Sequence, residues 1–192
     1  MESMKYLLLG SDIYTNNLYE LRPLREHEMQ AIKQWRNEQM AVLRQSRILT
    51  DEDQRRYYHE IVLPSYNVEH PNLMLFSYYY DGRHIGYGGL TNLDWVNRRA
   101  EISYLVQTER SSEEEVAQYT SDFSTFLSLM KHIAFEELQL HRLFTETFDI
   151  RPLHIKILES SGFQFEGRMK EHVRIDGHYV DSLLHGCLTP VK

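Results

Sequence analysis

One cysteine, five prolines and nine glycines among 192 residues remove several classes of protein at once. The lone thiol, Cys187, has no partner for an intramolecular disulfide, which excludes a disulfide-built scaffold and fits a reducing compartment. Positive charge is also in deficit: 21 Lys and Arg against 28 Asp and Glu leave a formal net charge of -7. A general nucleic-acid binder needs a basic footprint, so that class is disfavoured, although a local basic groove for a phosphorylated ligand is not. Long apolar runs are missing as well. Leu7-Leu8-Leu9 stops at Gly10-Ser11-Asp12, too short for a signal-peptide core or a membrane span, so we expect a cytoplasmic protein with no membrane partner. The ten histidines show no metal-ligand spacing, and we expect no metal. No Gly-x-Ser-x-Gly elbow occurs, and Gly86-Tyr87-Gly88-Gly89 is not followed by a helical pattern, so it is no dinucleotide fingerprint. Cys187 lies in the last apolar strand pattern and reads as core rather than nucleophile.

What remains is the composition of an ordinary soluble globular domain, 42% hydrophobic and 26% charged, without repeats, low-complexity stretches or linkers. The length fits a single domain over 1–192. Thirteen tyrosines suit a sheet-containing fold and a ring-lined pocket. Residues 5–9 and 18–24 read as strands. Met29, Ile32 and Trp35 recur at helical spacing over 26–36. Thr50, followed by Asp51, Glu52 and Asp53, is a capping-box start for a helix ending before Pro64. LMLFSYYY, Asp81-Gly82 and RHIGYGGL predict a hairpin, and AEISYLV (100–106) the next strand, with Glu101, Ser103 and Leu105 on one face. The helix within 107–138 has two candidate starts: Ser112 with Glu115, or Thr120 or Ser121, which would leave 107–119 as an inserted loop. The order of elements predicts an α/β layered domain with a mixed sheet.

The stretch from His141 to Gly186 is the most telling: HRLFTETF, DIRPLHIKILESSGF, then QFEGRMKEHVRIDGHYVDSLLHG. This strand, helix, Gly-Phe stop and hairpin resemble the acyl-CoA end of GNAT-type N-acetyltransferases, within them the ribosomal-protein (RimJ/RimL-like) branch. The resemblance implies a GNAT-like mixed, mostly antiparallel central sheet flanked by helices on both faces. It implies an acetyl-CoA-dependent transferase acting on a primary amine, with no metal. It further implies that the backbone N–H near Leu105 or Val106, with Gln107 following, meets the acyl carbonyl, and that Glu101 steers the amine proton. A structural ion pair with Arg98, Arg99 or another neighbour is the competing reading of Glu101.

The chain also departs from the family pattern. The pyrophosphate signature Arg/Gln-x-x-Gly-x-Gly/Ala falls on Gln118, Tyr119, Thr120, Ser121, Asp122 and Phe123, without its glycines and after Glu113, Glu114 and Glu115. Backbone N–H groups and the hydroxyls of Thr120 and Ser121 are the remaining means of holding phosphate there, and Arg151 is a substitute charge. The family's tyrosine proton donor is Leu158, which donates nothing. His154 is the alternative donor or shuttle. On the acceptor side the resemblance points to Trp35-Arg36-Asn37, followed by Arg44 and Gln45, to Tyr87, Gly88 and Asn92, and to His172. The favoured acceptor is a nucleotide-linked amino sugar, ahead of a protein N-terminus or a small amine, and an edge strand could pair in a homodimer. The rival reading is a non-catalytic domain that kept the fold and lost its cofactor grip.

Overall fold

Asp81-Gly82 and Asp176-Gly177 both adopt positive φ (47° and 72°, 48° and 85°), the backbone that a tight two-residue hairpin turn requires. In the computed structural model, which describes residues 5–190, the first turn joins β3 (Met74–Tyr80) to β4 (Arg83–Asp94). The second joins β7 (Gln164–Ile175) to β8 (His178–Leu188). With β1 (Tyr14–Asn16), β2 (Tyr19–Pro23), β5 (Arg99–Val106) and β6 (Arg142–Phe148) they form one eight-stranded sheet, ordered β1-β2-β3-β4-β5-β6-β8-β7. Every neighbouring pair is antiparallel except β5 and β6. The mixed, mostly antiparallel sheet expected from the sequence is therefore present.

Adjacent residues of β4 reveal how the helices divide. A side chain at Gly88 would run into Phe126 of α4 (Val116–Lys131), whereas the Tyr87 hydroxyl meets Arg36 of α1 (Met29–Glu38). Successive strand residues point to opposite faces, so α1 and α4 cover opposite sides of the sheet. α1 packs on α2 (Asp51–Tyr57), and α4 packs on α5 (Pro152–Ser160). The α4 side of the core is built of rings: Tyr78 on Phe126, Tyr104 on Phe123 and Phe126, all buried. Thr50 caps α2 as expected, accepting from the Asp53 N–H while the Asp53 carboxylate takes the Thr50 N–H.

Two local expectations are corrected. Residues 5–9 form a turn rather than a strand, closed by Leu9 N–H to the Tyr6 carbonyl. Tyr6 is buried there because its hydroxyl exchanges hydrogen bonds with the Leu75 backbone. The helix after Asp51 does not end before Pro64. It widens into a π-helical stretch, Tyr58–Val62, and continues as α3 (Leu63–Ser65), with Pro64 in the first turn, where its missing N–H is tolerated. Among the described residues, no helix is long and apolar enough to cross a membrane, and no group of three or more metal-ligating side chains forms.

Candidate active site

Strands β5 and β6 pair in parallel only through Arg99/Arg142, Ala100/Leu143 and Glu101/Phe144. Beyond that point both run on, to Val106 and to Phe148, without pairing. Unpaired backbone between two central strands is unusual, because buried N–H and C=O groups need partners. The alternation of β5 identifies the groups involved. Gln107 donates to Ile85 of β4, so in the same register Leu105 and Ser103 also point at β4, and Tyr104 and Val106 point into the split. The Gln39 amide already donates to the Val106 carbonyl at 2.8 Å. Of the two backbone candidates, then, Val106 faces the opening and Leu105 faces its own ladder. Gln107 sits beyond the strand, its side chain turned to Glu109.

The split is the centre of three adjoining cavities. The central one, about 280 Å³, is lined by Glu101, Tyr104, Thr145, Glu146, Arg44 and His154, among others. An outer cavity of about 460 Å³ lies towards Ser111, Ser112 and Val116 and shares Val42, Arg151 and His154 with it. A third, about 370 Å³, lies against α1 and α2 and shares Arg36, Tyr57 and Tyr87.

In the central cavity, Glu101 is only 3% exposed. Its carboxylate takes the Asn92 amide at 2.7 Å on one oxygen and the Arg44 guanidinium on the other. The ion pair considered for Glu101 forms with another neighbour, Arg44, and not with Arg98 or Arg99. Arg99 instead meets Asp94, and Arg98 reaches the Gln139 carbonyl. Asn92 adopts φ 48° at the irregularity between β4 and β5, which turns its amide towards Glu101. Phe144 pairs with Glu101, so Glu146, two residues on, lies on the same sheet face and approaches Arg44 at 3.7 Å. His172 stands at the rim, 3.6 Å from Glu146.

On the other side of the split, His154 is stacked on Phe123 with ring centroids 4.0 Å apart. Its Nδ1 is 2.7 Å from the Tyr119 hydroxyl, which accepts from Arg151 at 2.9 Å. With Arg151 supplying that hydrogen, the tyrosine proton is free to go to Nδ1, which leaves the imidazole N–H on Nε2. Burial, and then the neighbouring Arg151 charge, push the His154 pKa well below the usual histidine value. Burial raises that of Tyr119, with Arg151 opposing. His154 is thus neutral at neutral pH. It can give a hydrogen bond to a nearby atom, but it does not carry the spare proton expected of a shuttle. Leu158 is fully enclosed in the core.

The segment matched to the phosphate signature is not a loop. α4 begins at Val116, after short 3-10 turns at Thr108–Ser111 and Glu113–Glu115, so 118–123 are helical; neither candidate start is adopted, because Ser112 makes no side-chain cap and Thr120 and Ser121 lie inside the helix. Helical spacing divides the matched residues. Gln118 and Ser121 turn towards Tyr19 on β2, and Thr120 bonds back to the Val116 carbonyl; of the matched residues, Tyr119 lines the outer cavity and Phe123 the central one. Asp122 is fully buried and holds Arg110, which pins the approach to the helix. Glu114 and Glu115 are exposed, as a solvated first turn should be, and the Glu113 side chain lies outside the described residues.

The acceptor-side residues separate likewise. Trp35 is core, beside His84, and Gly88 faces α4, so neither lines the opening. Arg36 and Tyr87 do, joined at 2.6 Å. Asn37 holds the following loop, bonding Gln45 and both backbone groups of Leu49. Sequence reasoning missed Glu146 and the place of Arg44. The signal available was TETF itself, which sets a carboxylate on β6 in phase with Glu101.

The model of the acetyltransferase (GNAT) domain matches residues 21–184. A Bacillus subtilis (strain 168) protein named "Putative ribosomal N-acetyltransferase YdaF" is 27% identical over 133 residues, 68% of this chain and 69% of that one. Spermidine N-acetyltransferase from Vibrio cholerae, solved with CoA and spermine, superposes with a TM-score of 0.76 at 19% identity, covering 91% of this chain and 97% of that one. A dodecameric structure of the V. cholerae enzyme gives 0.71 at 20% identity, covering 90% and 95%. At these identities the solved structures establish the fold.

Proposed function

Because the chain belongs to the acetyltransferase (GNAT) family and is an acetyl-CoA-dependent acyltransferase, we propose that it acetylates a compact cationic primary amine bound beside Glu101. The observation that carries this reading is the split between β5 and β6, with free backbone on one wall and a buried carboxylate at its closed end. The acyl-pantetheine arm enters the split, and its carbonyl accepts from the Val106 N–H. Glu101 takes a proton from the acceptor ammonium. The amine nitrogen then forms its bond to the acyl carbon, and the extra proton left on that nitrogen passes to solvent. The C–S bond breaks with its electron pair leaving on sulfur, and the thiolate is met by the His154 Nε2–H. Positioning and oxyanion stabilisation supply most of the acceleration. The phosphates lie in the outer cavity, against Arg151 and the first turn of α4, rather than on a glycine loop.

A nucleotide-linked amino sugar fits less well. Its phosphates would need the arginines of the third cavity, yet two of the three, Arg47 and Arg56, are paired with Asp53, and Arg36 is held by Gln45 and Tyr87. A second carboxylate, Glu146, also favours a cation over a polyanion near the amine. The V. cholerae proteins are named for spermidine, an acceptor of this charge type. Pairing of copies through the sheet edges β1 or β7 belongs to the same reading. The test is thiol release from acetyl-CoA over a panel of small amines, amino sugars and peptides. Glu101→Gln should lower kcat/KM for the preferred amine by about 10² to 10⁴ while leaving acetyl-CoA affinity unchanged. Unchanged turnover in Glu101→Gln would remove Glu101 as the base.

A further inference from the structure

Arg44 stands in an unusual position for a cation. Its guanidinium lies in the central cavity between Glu101 of β5 and Glu146 of β6, the two strands that part there. Its side chain is 56% exposed, against 4% for Glu101 and 14% for Glu146. The carboxylates are therefore built into the sheet, whereas the cation reaches in from outside. Its backbone neighbours are pinned. Gln45 donates to Asn37 and accepts from Arg36, and Leu49 exchanges hydrogen bonds with Asn37. The guanidinium can leave by rotation about its own stem without moving this loop. An enclosed acceptor is also incompletely used: Glu146 Oε1, on the cavity wall, has no hydrogen-bond partner among the described residues, with the His172 ring nitrogen 3.6 Å away at the rim. Asn92 holds Glu101 in place whether or not Arg44 is present.

We propose that Arg44 is a built-in occupant of the acceptor's cation seat, displaced by an acceptor that carries two positive groups, one for Glu101 and one for Glu146. This rests on the amine-acetyltransferase reading above and deepens it. While Arg44 is in place, both oxygens of Glu101 are engaged, one by Arg44 and one by Asn92; an acceptor that displaces Arg44 takes over the first of them. A monoamine satisfies only one carboxylate and competes poorly with the guanidinium. A diamine satisfies both. Arg44 is then a specificity-determining residue, and Glu146 is its counterpart on the second strand.

The test uses calorimetry with 1,4-diaminobutane and n-butylamine on the full chain, in parallel with steady-state acetylation of both. The diamine should bind at least about tenfold more tightly, the scale of one further charge pair with an enclosed carboxylate. Arg44→Ala, with Arg44→Gln as the milder variant, should tighten diamine binding and lower its KM without lowering kcat. Glu146→Gln should weaken the diamine more than n-butylamine and so erase the preference between them. If both Arg44 variants weaken the two amines alike, or if Glu146→Gln leaves their ratio intact, the inference is overturned. The two readings fail separately. Diamine-selective binding without acetylation of any amine would sink the enzymatic proposal alone, and acetylation without diamine preference would sink this one alone.

Discussion

Asp122 offers the clearest energetic test of how α4 is held. Fully buried, it accepts from Arg110 through Nε and Nη2, each at 2.7 Å, and from the Tyr19 hydroxyl and Gln118 amide, also at 2.7 Å. Asp122→Ala leaves the Arg110 charge in a mostly enclosed place without its counter-ion, while the Tyr19 hydroxyl and Gln118 amide keep only their longer contacts, to Ser121 and to Tyr19. Breaking a buried pair in this way costs about 3–5 kcal/mol. For a chain of this length each kcal/mol moves the melting temperature by about 2–4 °C, so a fall of about 6–20 °C is expected. Urea unfolding followed by the fluorescence of Trp35 and Trp95 reads it directly, provided the m-value is unchanged. Replacing both partners by apolar groups, Arg110→Met with Asp122→Leu, should recover much of the loss, because no charge is then stranded. A loss below about 1 kcal/mol in Asp122→Ala would refute the reasoning, as would a double variant no more stable than the single one.

Two other perturbations follow from the same geometry. Folded His154 holds a pKa well below that of the unfolded chain, near 6.5, so below that pH the unfolded state takes up more protons and stability falls as pH drops. His154→Leu should remove up to about 1.4 kcal/mol per pH unit of that slope between about pH 6.5 and 5 in urea titrations, and identical slopes would contradict a buried neutral imidazole. Gly88→Ala would bring its Cβ to 2.2 Å from the Ser103 carbonyl and 2.6 Å from Phe126, so a loss of about 1–3 kcal/mol is expected by thermal melting.

Much of this architecture was legible in the chain. Asp81-Gly82 and Asp176-Gly177 mark their turns because few residues accept positive φ, and the alternation of AEISYLV sets Glu101 on the cavity side. The C-terminal strand, helix and hairpin carried the family resemblance. Other features depend on contacts that no local pattern encodes. Tyr6 looked like a strand residue because its burial is satisfied by the Leu75 backbone, far away in sequence. Gln118 and Ser121 matched a signature by spacing, but helical periodicity turns them to β2, away from Tyr119. His154 was legible as a candidate, yet its neutrality comes from burial and then the Arg151 charge, which only the packed fold brings together. Arg44 was legible only as a residue following the acceptor-side Trp35-Arg36-Asn37; its pairing depends on two carboxylates from separate strands.

The central claim is that acetyl-CoA occupies the split between β5 and β6, with Arg151 in place of a glycine cradle. Calorimetric titration of acetyl-CoA into the wild-type chain and into Arg151→Ala tests it most directly. One site per chain is expected, weakened about 10- to 100-fold by the substitution, the worth of one charge-assisted contact. Absence of acetyl-CoA and CoA binding by the wild-type chain, or affinity indifferent to Arg151, would contradict it.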